Sequence, residues 1–281
     1  MKTIIQLLAE ELGCKEEYVN NVVTLLDEGN TIPFIARYRK EAHGAMDDTA
    51  LRTLETRLQY LRNLQQRRDE VKSAVEAQGK LTDELARSID NAATLAEVED
   101  LYRPYKQKRR TRATVAKEKG LEPLADVIFA QDRNGKAPEE LAKDFLNPDL
   151  GVETIEDALS GASDIIAERI SDDAELRKSL RARMQKSALC ESKAAKEDED
   201  SVYRLYYDFH QPVSKLQSHQ VLALNRGEKE GYLKVALDLD RMEAMQLIRK
   251  RVVKPGSPAM AFLAAAAEDS YDRLLAPSME R

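Results

Sequence analysis

The sequence has no tryptophan, only three histidines and two cysteines in 281 residues, and an aromatic content of 5%. The cysteines, Cys14 and Cys190, lie far apart and form no CxxC pair, which argues against a disulfide scaffold or a cysteine-bound zinc ion. The histidines, His43, His210 and His219, form no HxxxH pair. We therefore expect neither a metal site nor a cofactor.

Motifs of nucleotide-dependent enzymes are also missing. The nearest glycine pair to a phosphate-binding GxxxxGK[S/T] loop, Gly227 and Gly231, lacks the lysine that must follow. Nothing in the sequence singles out a catalytic nucleophile, so we expect no enzymatic activity. The chain contains no run of eighteen apolar residues and begins with an amphipathic segment, not a signal peptide. A cytoplasmic protein with no membrane partner is the expectation.

The residues that are abundant favour helices. Charged residues make up 33% of the chain and glycine contributes only 11 residues, while alanine, leucine, glutamate, lysine and arginine are common. We predict a mainly all-α fold, an elongated multi-helix array with at most one small β element. Its regions are expected at residues 1–80, 81–190 and 191–281, the last containing the β element. The one credible strand is 232–239, with 221–224 as its nearest partner, and 191–201 is interpreted as a loop or hinge.

Helix signals are clearest in the first hundred residues. Segments 4–12, 15–26 and 33–41 predict short helices around a glycine turn, so this part is interpreted as helix-turn-helix-like. A long helix is predicted from Asp48 to about Gln78, with Asp47 as its cap. Its apolar side chains recur every three or four residues and predict a core-facing seam: Leu51, Leu54, Leu58, Leu61, Leu64, Val71 and Val75. Thr82 and Thr94 are the predicted caps of the next two helices.

Positive charge is concentrated in one short stretch. Residues 103–119 carry eight Lys or Arg and one acid, a local charge of +7 in a chain of net charge −6. We call its first part the basic segment and predict that its cations contact nucleic-acid phosphate or an acidic partner: Arg103, Lys106, Lys108, Arg109, Arg110 and Arg112. Pro104 biases the residue before it away from helical dihedrals, which predicts that the preceding helix ends nearby.

Two alternatives stay open for this segment. Its arginines could instead pair with acids elsewhere in the fold, as a solvated turn. The tyrosines that lead into it, Tyr102 and Tyr105, could stack on bases, although packing against the protein is the more common role of such residues.

Four stretches together resemble one family. They are residues 29–41 (GNTIPFIARYRKE), 100–125 (DLYRPYKQKRRTRATVAKEKGLEPLA), 219–231 (HQVLALNRGEKEG) and 274–281 (LLAPSMER). In this order they resemble the N-terminal helical region of the Tex family, the bacterial transcription accessory proteins. The resemblance implies a helix-turn-helix-like part before an RNase H-like YqgF domain, followed by helix-hairpin-helix and S1 domains. It places this chain ahead of the YqgF-like domain and implies no catalytic residue in it.

The resemblance also implies a role. We expect a scaffold that supports nucleic-acid binding and transcription regulation, with RNA or DNA as partner, mainly through the later domains. The alternative is a protein-binding module that docks RNA polymerase or another transcription factor through the N-terminal helices, without touching nucleic acid.

Overall fold

The computed structural model describes residues 2–107, 109–195 and 201–280. The chain divides into two compact units, Met1–Tyr105 and Lys106–Arg281. Helices dominate both units, and the sheet found among the described residues has three short strands. The prediction of a mainly helical fold with one small β element is therefore confirmed. The three regions and the helix-turn-helix-like character inferred from the sequence stay predictions.

The described part of the first unit consists of seven α-helices and a closing 3-10 turn. The helices are α1 (Ile4–Leu12), α2 (Glu16–Asp27), α3 (Ile32–Tyr38), α4 (Lys40–His43), α5 (Asp48–Glu76), α6 (Asp83–Asn91) and α7 (Leu95–Tyr102), and the turn is Arg103–Tyr105. Asp47, Thr82 and Thr94 cap α5, α6 and α7 as predicted, because each side chain accepts a hydrogen bond from the backbone N–H three residues ahead.

Helix α5 organises the core of this unit. All seven leucines and valines of the predicted seam are buried, and the side chains of α1, α2, α3, α6 and α7 pack around them. The spacing of three and four residues places the seam on one face of the helix, which explains why the outer face carries the charges.

The predicted helix 33–41 is broken in two. Arg39 has φ −129° and ψ 38°, which ends α3 and begins α4. Helix α4 then ends at Gly44, whose φ of 58° is left-handed and whose Cβ, if present, would lie 2.2 Å from the Tyr18 ring. The left-handed dihedral angles favour glycine there, and the close approach of the Tyr18 ring leaves no room for a side chain.

The second unit has nine described α-helices and a three-stranded sheet. The helices are α8 (Arg112–Glu118), α9 (Glu122–Ala130), α10 (Pro138–Ala142), α11 (Ile155–Ser171), α12 (Ala174–Ser187), α13 (Ser218–Lys229), α14 (Arg241–Val252), α15 (Met260–Ser270) and α16 (Ala276–Met279). A π-helical turn, Tyr271–Leu275, joins the last two. The strands are β1 (Leu189–Ala194), β2 (Asp208–Pro212) and β3 (Leu233–Asp238).

Helix α11 lies at the centre of the second core. Its buried face alternates small and branched side chains: Ala158, Ala162, Ile165, Ile166, Ala167 and Ile170. A Cβ added at Gly161 would lie 2.3 Å from Leu121 Cδ1 and 3.2 Å from Ala116 Cβ, so α8 packs closely on α11 at that glycine. The Ser270 hydroxyl of α15 donates a hydrogen bond to the Ala167 carbonyl of α11 at 2.7 Å.

The sheet corrects two predictions. Strand β3 matches the predicted 232–239, but its partner is β1, and the strand order β2-β1-β3 is antiparallel throughout. Residues 221–224 lie in α13 instead. The supposed loop or hinge from 191 is strand up to residue 194, and the acidic run 197–200 lies outside the described residues. Strand β1 escaped prediction because its two buried side chains are Cys190 and Ser192, which give no apolar alternation.

Candidate nucleic-acid interface

The basic segment begins at the end of the first unit and continues into the second. Helix α7 ends at Tyr102, as Pro104 predicted, and Arg103 starts a 3-10 turn. Contrary to expectation, Arg103 keeps helical dihedrals, φ −52° and ψ −42°, because its N–H still bonds to the Asp100 carbonyl. Tyr102 and Tyr105 are half-buried against the first core, which favours packing over base stacking.

The other described cations of the segment belong to the second unit. Lys106, Arg109, Arg110 and Arg112 are all exposed, while Lys108 lies outside the described residues. Thr111 caps α8 by accepting the Thr114 N–H at 3.0 Å. The buried face of α8 packs on α11, which holds the helix in place. Arg112 is the first residue of α8, and Arg109 and Arg110 lie directly before the Thr111 cap.

Carboxylates neutralise this group only in part. Arg110 donates to Glu118 Oε2 at 2.7 Å, but the two side chains are 69% and 53% exposed, and exposed pairs of this kind contribute only about 0–1 kcal/mol. Burial raises the pKa of Asp164, an effect opposed by the positive charges of Arg273 and then of Arg112. Lys106 and Arg109 have no ion-pair partner in the described part of the chain.

Among the described Lys106, Arg109, Arg110 and Arg112, the alternative of a paired turn therefore holds for Arg110. Arg110 has a carboxylate within hydrogen-bond distance, and Arg112 acts on Asp164 only through its field. Guanidinium groups that are exposed and weakly paired can exchange a carboxylate or water for a phosphate oxygen at low cost. The arrangement suits electrostatic contact with a polyanion.

Comparison with known proteins then places the chain in a family. A family described as Tex-like protein N-terminal domain matches residues 2–76, and one described as Tex central region-like matches residues 133–281, more than half of the chain. The chain belongs to the Tex family.

Three relatives illustrate the range of similarity. An uncharacterized protein YdcI of Bacillus subtilis is 45% identical over 98% of this chain and 39% of its own length. The transcriptional accessory protein Tex of Neisseria gonorrhoeae is 43% identical over 83% of this chain and 31% of its own length. The human S1 RNA-binding domain-containing protein 1 is 28% identical over 99% of this chain and 29% of its own length. This Tex chain thus spans about a third of the length of these relatives.

A second group of cations was not predicted from the sequence. We call Phe34, Arg37, Tyr38, Arg39 and Lys40 the α3–α4 cluster. The Arg37 Cζ lies 6.0 Å from the centre of the Tyr38 ring, and the Arg39 Cζ lies 5.5 Å from that of Phe34. The signal was available as a basic run interleaved with aromatics inside the first Tex-like stretch, but Phe34 and Tyr38 are spaced as packing residues are.

Two further features of the described residues concern metal ligation and membrane spanning. No three His, Cys, Asp or Glu side chains there converge as metal ligands would. In the same residues no helix combines the length and apolar character needed to cross a bilayer.

Proposed function

We propose that this chain is the N-terminal scaffold part of a Tex-like transcription accessory factor and contacts RNA or DNA phosphates through its basic segment. One observation carries the proposal: Lys106, Arg109 and Arg112 are exposed without an ion pair among the described residues, although the chain as a whole is acidic. Relatives named for transcription and for RNA binding support the same class of partner. Catalysis forms no part of the proposed role.

A salt titration tests the contact. Each neutralised phosphate of duplex DNA contributes about −0.9 to the slope of log affinity against log salt. If Arg109, Arg110 and Arg112 each contact a phosphate, replacing all three with Ala flattens the slope by about 2.7. Fluorescence anisotropy with a short labelled duplex measures the slope, and sequence preference is expected to be weak because phosphate contacts do not read bases.

A charge-matched control separates a site from a general field effect. Lys215, Lys229 and Lys234 are exposed lysines of the same unit, remote in sequence from the basic segment. Replacing these three with Ala removes the same charge and is expected to leave the slope nearly unchanged. Equal loss in both triple variants would refute the site. A wild-type slope with a lower melting temperature in the arginine variant would instead make the basic segment architectural.

A protein-docking role is the second candidate, and exposed apolar side chains favour it. Val202, Leu205 and Leu222 are 88%, 87% and 71% exposed. The first two flank Tyr203, whose ring approaches Gly227 of α13, the helix that carries Leu222. Association with RNA polymerase or another transcription factor that is insensitive to salt and is lost in a Leu205→Ser, Leu222→Ser variant would favour this role over phosphate contact.

A further inference from the structure

The α3–α4 cluster contains an aromatic pair, the half-buried Phe34 and the exposed Tyr38, flanked by cations. The rings of Phe34 and Tyr38 lie 5.3 Å apart at an interplanar angle of 47°. Tyr38 is 58% exposed, unusual for a large ring in a unit with its own core. Arg37 and Arg39 lie over these rings, and Lys40 follows them as an exposed residue at the start of α4.

The cations of the cluster are not neutralised by the fold. No carboxylate pairs with Arg37, Arg39 or Lys40 within the described ranges, and Glu41 is the single acid in residues 37–41. A guanidinium that stacks on a ring keeps its N–H donors around the edge of its plane. The arginines are therefore held in place by the rings, with donors left for an external anion.

We propose that the α3–α4 cluster binds single-stranded nucleic acid, with a base stacked on Tyr38 and adjacent phosphates held by Arg37, Arg39 and Lys40. An exposed ring between cations is the arrangement with which proteins bind single strands without reading sequence. The site lies wholly in the first unit and does not depend on the basic segment.

The chemistry favours a single strand over the other polyanions. In a duplex the base faces are stacked on one another and out of reach of a side-chain ring, so a duplex would engage only the cations. An acidic peptide would likewise leave the exposed Tyr38 ring unused. A single strand offers phosphates and free base faces together.

Three variants of the whole chain test how much the Tyr38 ring contributes to binding. Anisotropy with a labelled oligo-dT gives the affinity. Tyr38→Ala is expected to weaken it by about 5- to 160-fold, the range for loss of one stacked base. Tyr38→Phe keeps the ring and is expected to stay within about twofold of wild type. Arg52→Ala removes an exposed arginine that is already paired with Asp48 at 2.7 Å in the same unit, and is expected to change nothing.

The cations are tested by salt dependence. The double variant Arg37→Ala, Arg39→Ala is expected to flatten the salt slope on oligo-dT by about 1.4, at about 0.7 per phosphate of a single strand. Circular dichroism melting confirms that each variant is folded. Failure of the wild-type chain to bind oligo-dT, an unchanged affinity in Tyr38→Ala, or competition by poly-glutamate as effective as that by unlabelled oligo-dT would overturn the proposal. Replacing Arg109, Arg110 and Arg112 with Ala is expected to leave the effect of Tyr38→Ala unchanged. The experiment therefore tests the α3–α4 cluster independently of the basic segment.

Discussion

Helix α5 and the basic segment are both rich in arginine, yet their surroundings differ. On α5, Arg57 bonds to Glu11 of α1 at 2.6 and 2.7 Å, Arg62 to Asp27 of α2 at 2.7 and 2.8 Å, and Arg67 to Glu99 of α7 at 2.6 Å. In the basic segment, Arg110 has one exposed partner of its own unit. These three arginines of α5 tie helices together, whereas Arg109 and Arg112 of the segment have no ion pair among the described residues and keep hydrogen-bonding capacity for a ligand.

The difference shows that local charge alone does not define a binding surface. Arginines whose carboxylates are supplied by a neighbouring helix would have to give up that partner to bind a phosphate. Those without such a partner exchange only water. The α3–α4 cluster falls in the second class, although it lies in the same unit as α5.

Loss of a paired arginine should have the largest effect on stability. Arg67 bonds to Glu99 and Glu70, and its Cζ lies 5.6 Å from the centre of the Tyr102 ring. We expect Arg67→Ala to lower the free energy of unfolding by about 1 kcal/mol, discounted for the partial exposure of the pairs. That corresponds to a fall of roughly 4 °C in the melting temperature of a unit this size, measured by circular dichroism.

Arg37→Ala is the matched control for this loss, since it removes one arginine of the same unit that has no carboxylate partner among the described residues. Its melting temperature should stay within about 1 °C of wild type, as for most exposed substitutions. If Arg67→Ala and Arg37→Ala lowered the melting temperature equally, the carboxylate partners of Arg67 would contribute nothing measurable to stability.

Acid should weaken the paired set selectively. Hydrogen bonds from Arg57 and Arg62 lower the pKa of Glu11 below its ordinary 4.5 and that of Asp27 below its ordinary 3.8. A carboxylate with a lowered pKa in the folded state stabilises the fold fully above its unfolded pKa and loses that contribution as the pH falls through the folded value. The contribution is thus complete at pH 7 and declines from about pH 5 downward.

Urea unfolding at several pH values measures this decline. The double variant Arg57→Ala, Arg62→Ala should be less stable than wild type at neutral pH, and the gap should close as the carboxylates protonate. The corresponding variant Arg37→Ala, Lys40→Ala should show no pH-dependent gap. A gap in the first variant that stays constant down to about pH 3 would assign its cause to lost side-chain packing instead.

Sequence patterns predict the local features of this chain and miss the distant ones. The α5 seam and its Asp47 cap follow from spacings of three and four residues, which a helix converts directly into one face. The partners of Arg57 and Arg67 are 46 and 32 residues away, and nothing local indicates which acid each will meet. Strand β1 was missed because its buried positions, Cys190 and Ser192, give no apolar alternation, and its pairing with β3 involves residues 39 to 49 positions further along the chain.

The same limit applies to the candidate sites. Local charge located the basic segment, and the structure was needed to show which of its cations are paired. The α3–α4 cluster depends on a helix break at Arg39 that no proline or glycine marks, so the sequence predicted one continuous helix over residues 33–41. Only the structure shows that the Tyr38 ring of this cluster is exposed.

The smallest expected effect lies within the basic segment itself. Glu118 is the acid of residues 103–119, and its bond to Arg110 competes with a phosphate for that guanidinium. Glu118→Gln should free Arg110, steepen the salt slope on duplex DNA by at most about 0.9 and raise the affinity a few-fold at low salt. The melting temperature should stay unchanged, because the Arg110–Glu118 pair is exposed and contributes little to stability. A carboxylate in the last turn of α8 is also unfavourable to the helix dipole, so its loss is not costly.

A neighbouring pair provides the control for this variant. Glu122 bonds to Lys117 at 2.7 Å with similar exposure, so Glu122→Gln removes the same charge from the same unit without freeing a cation of the basic segment. If Glu118→Gln and Glu122→Gln raised the affinity equally, the gain would come from the change in net charge and not from breaking the ion pair between Arg110 and Glu118. If only Glu118→Gln acted, the state of one ion pair would decide whether an arginine of this segment can bind a phosphate.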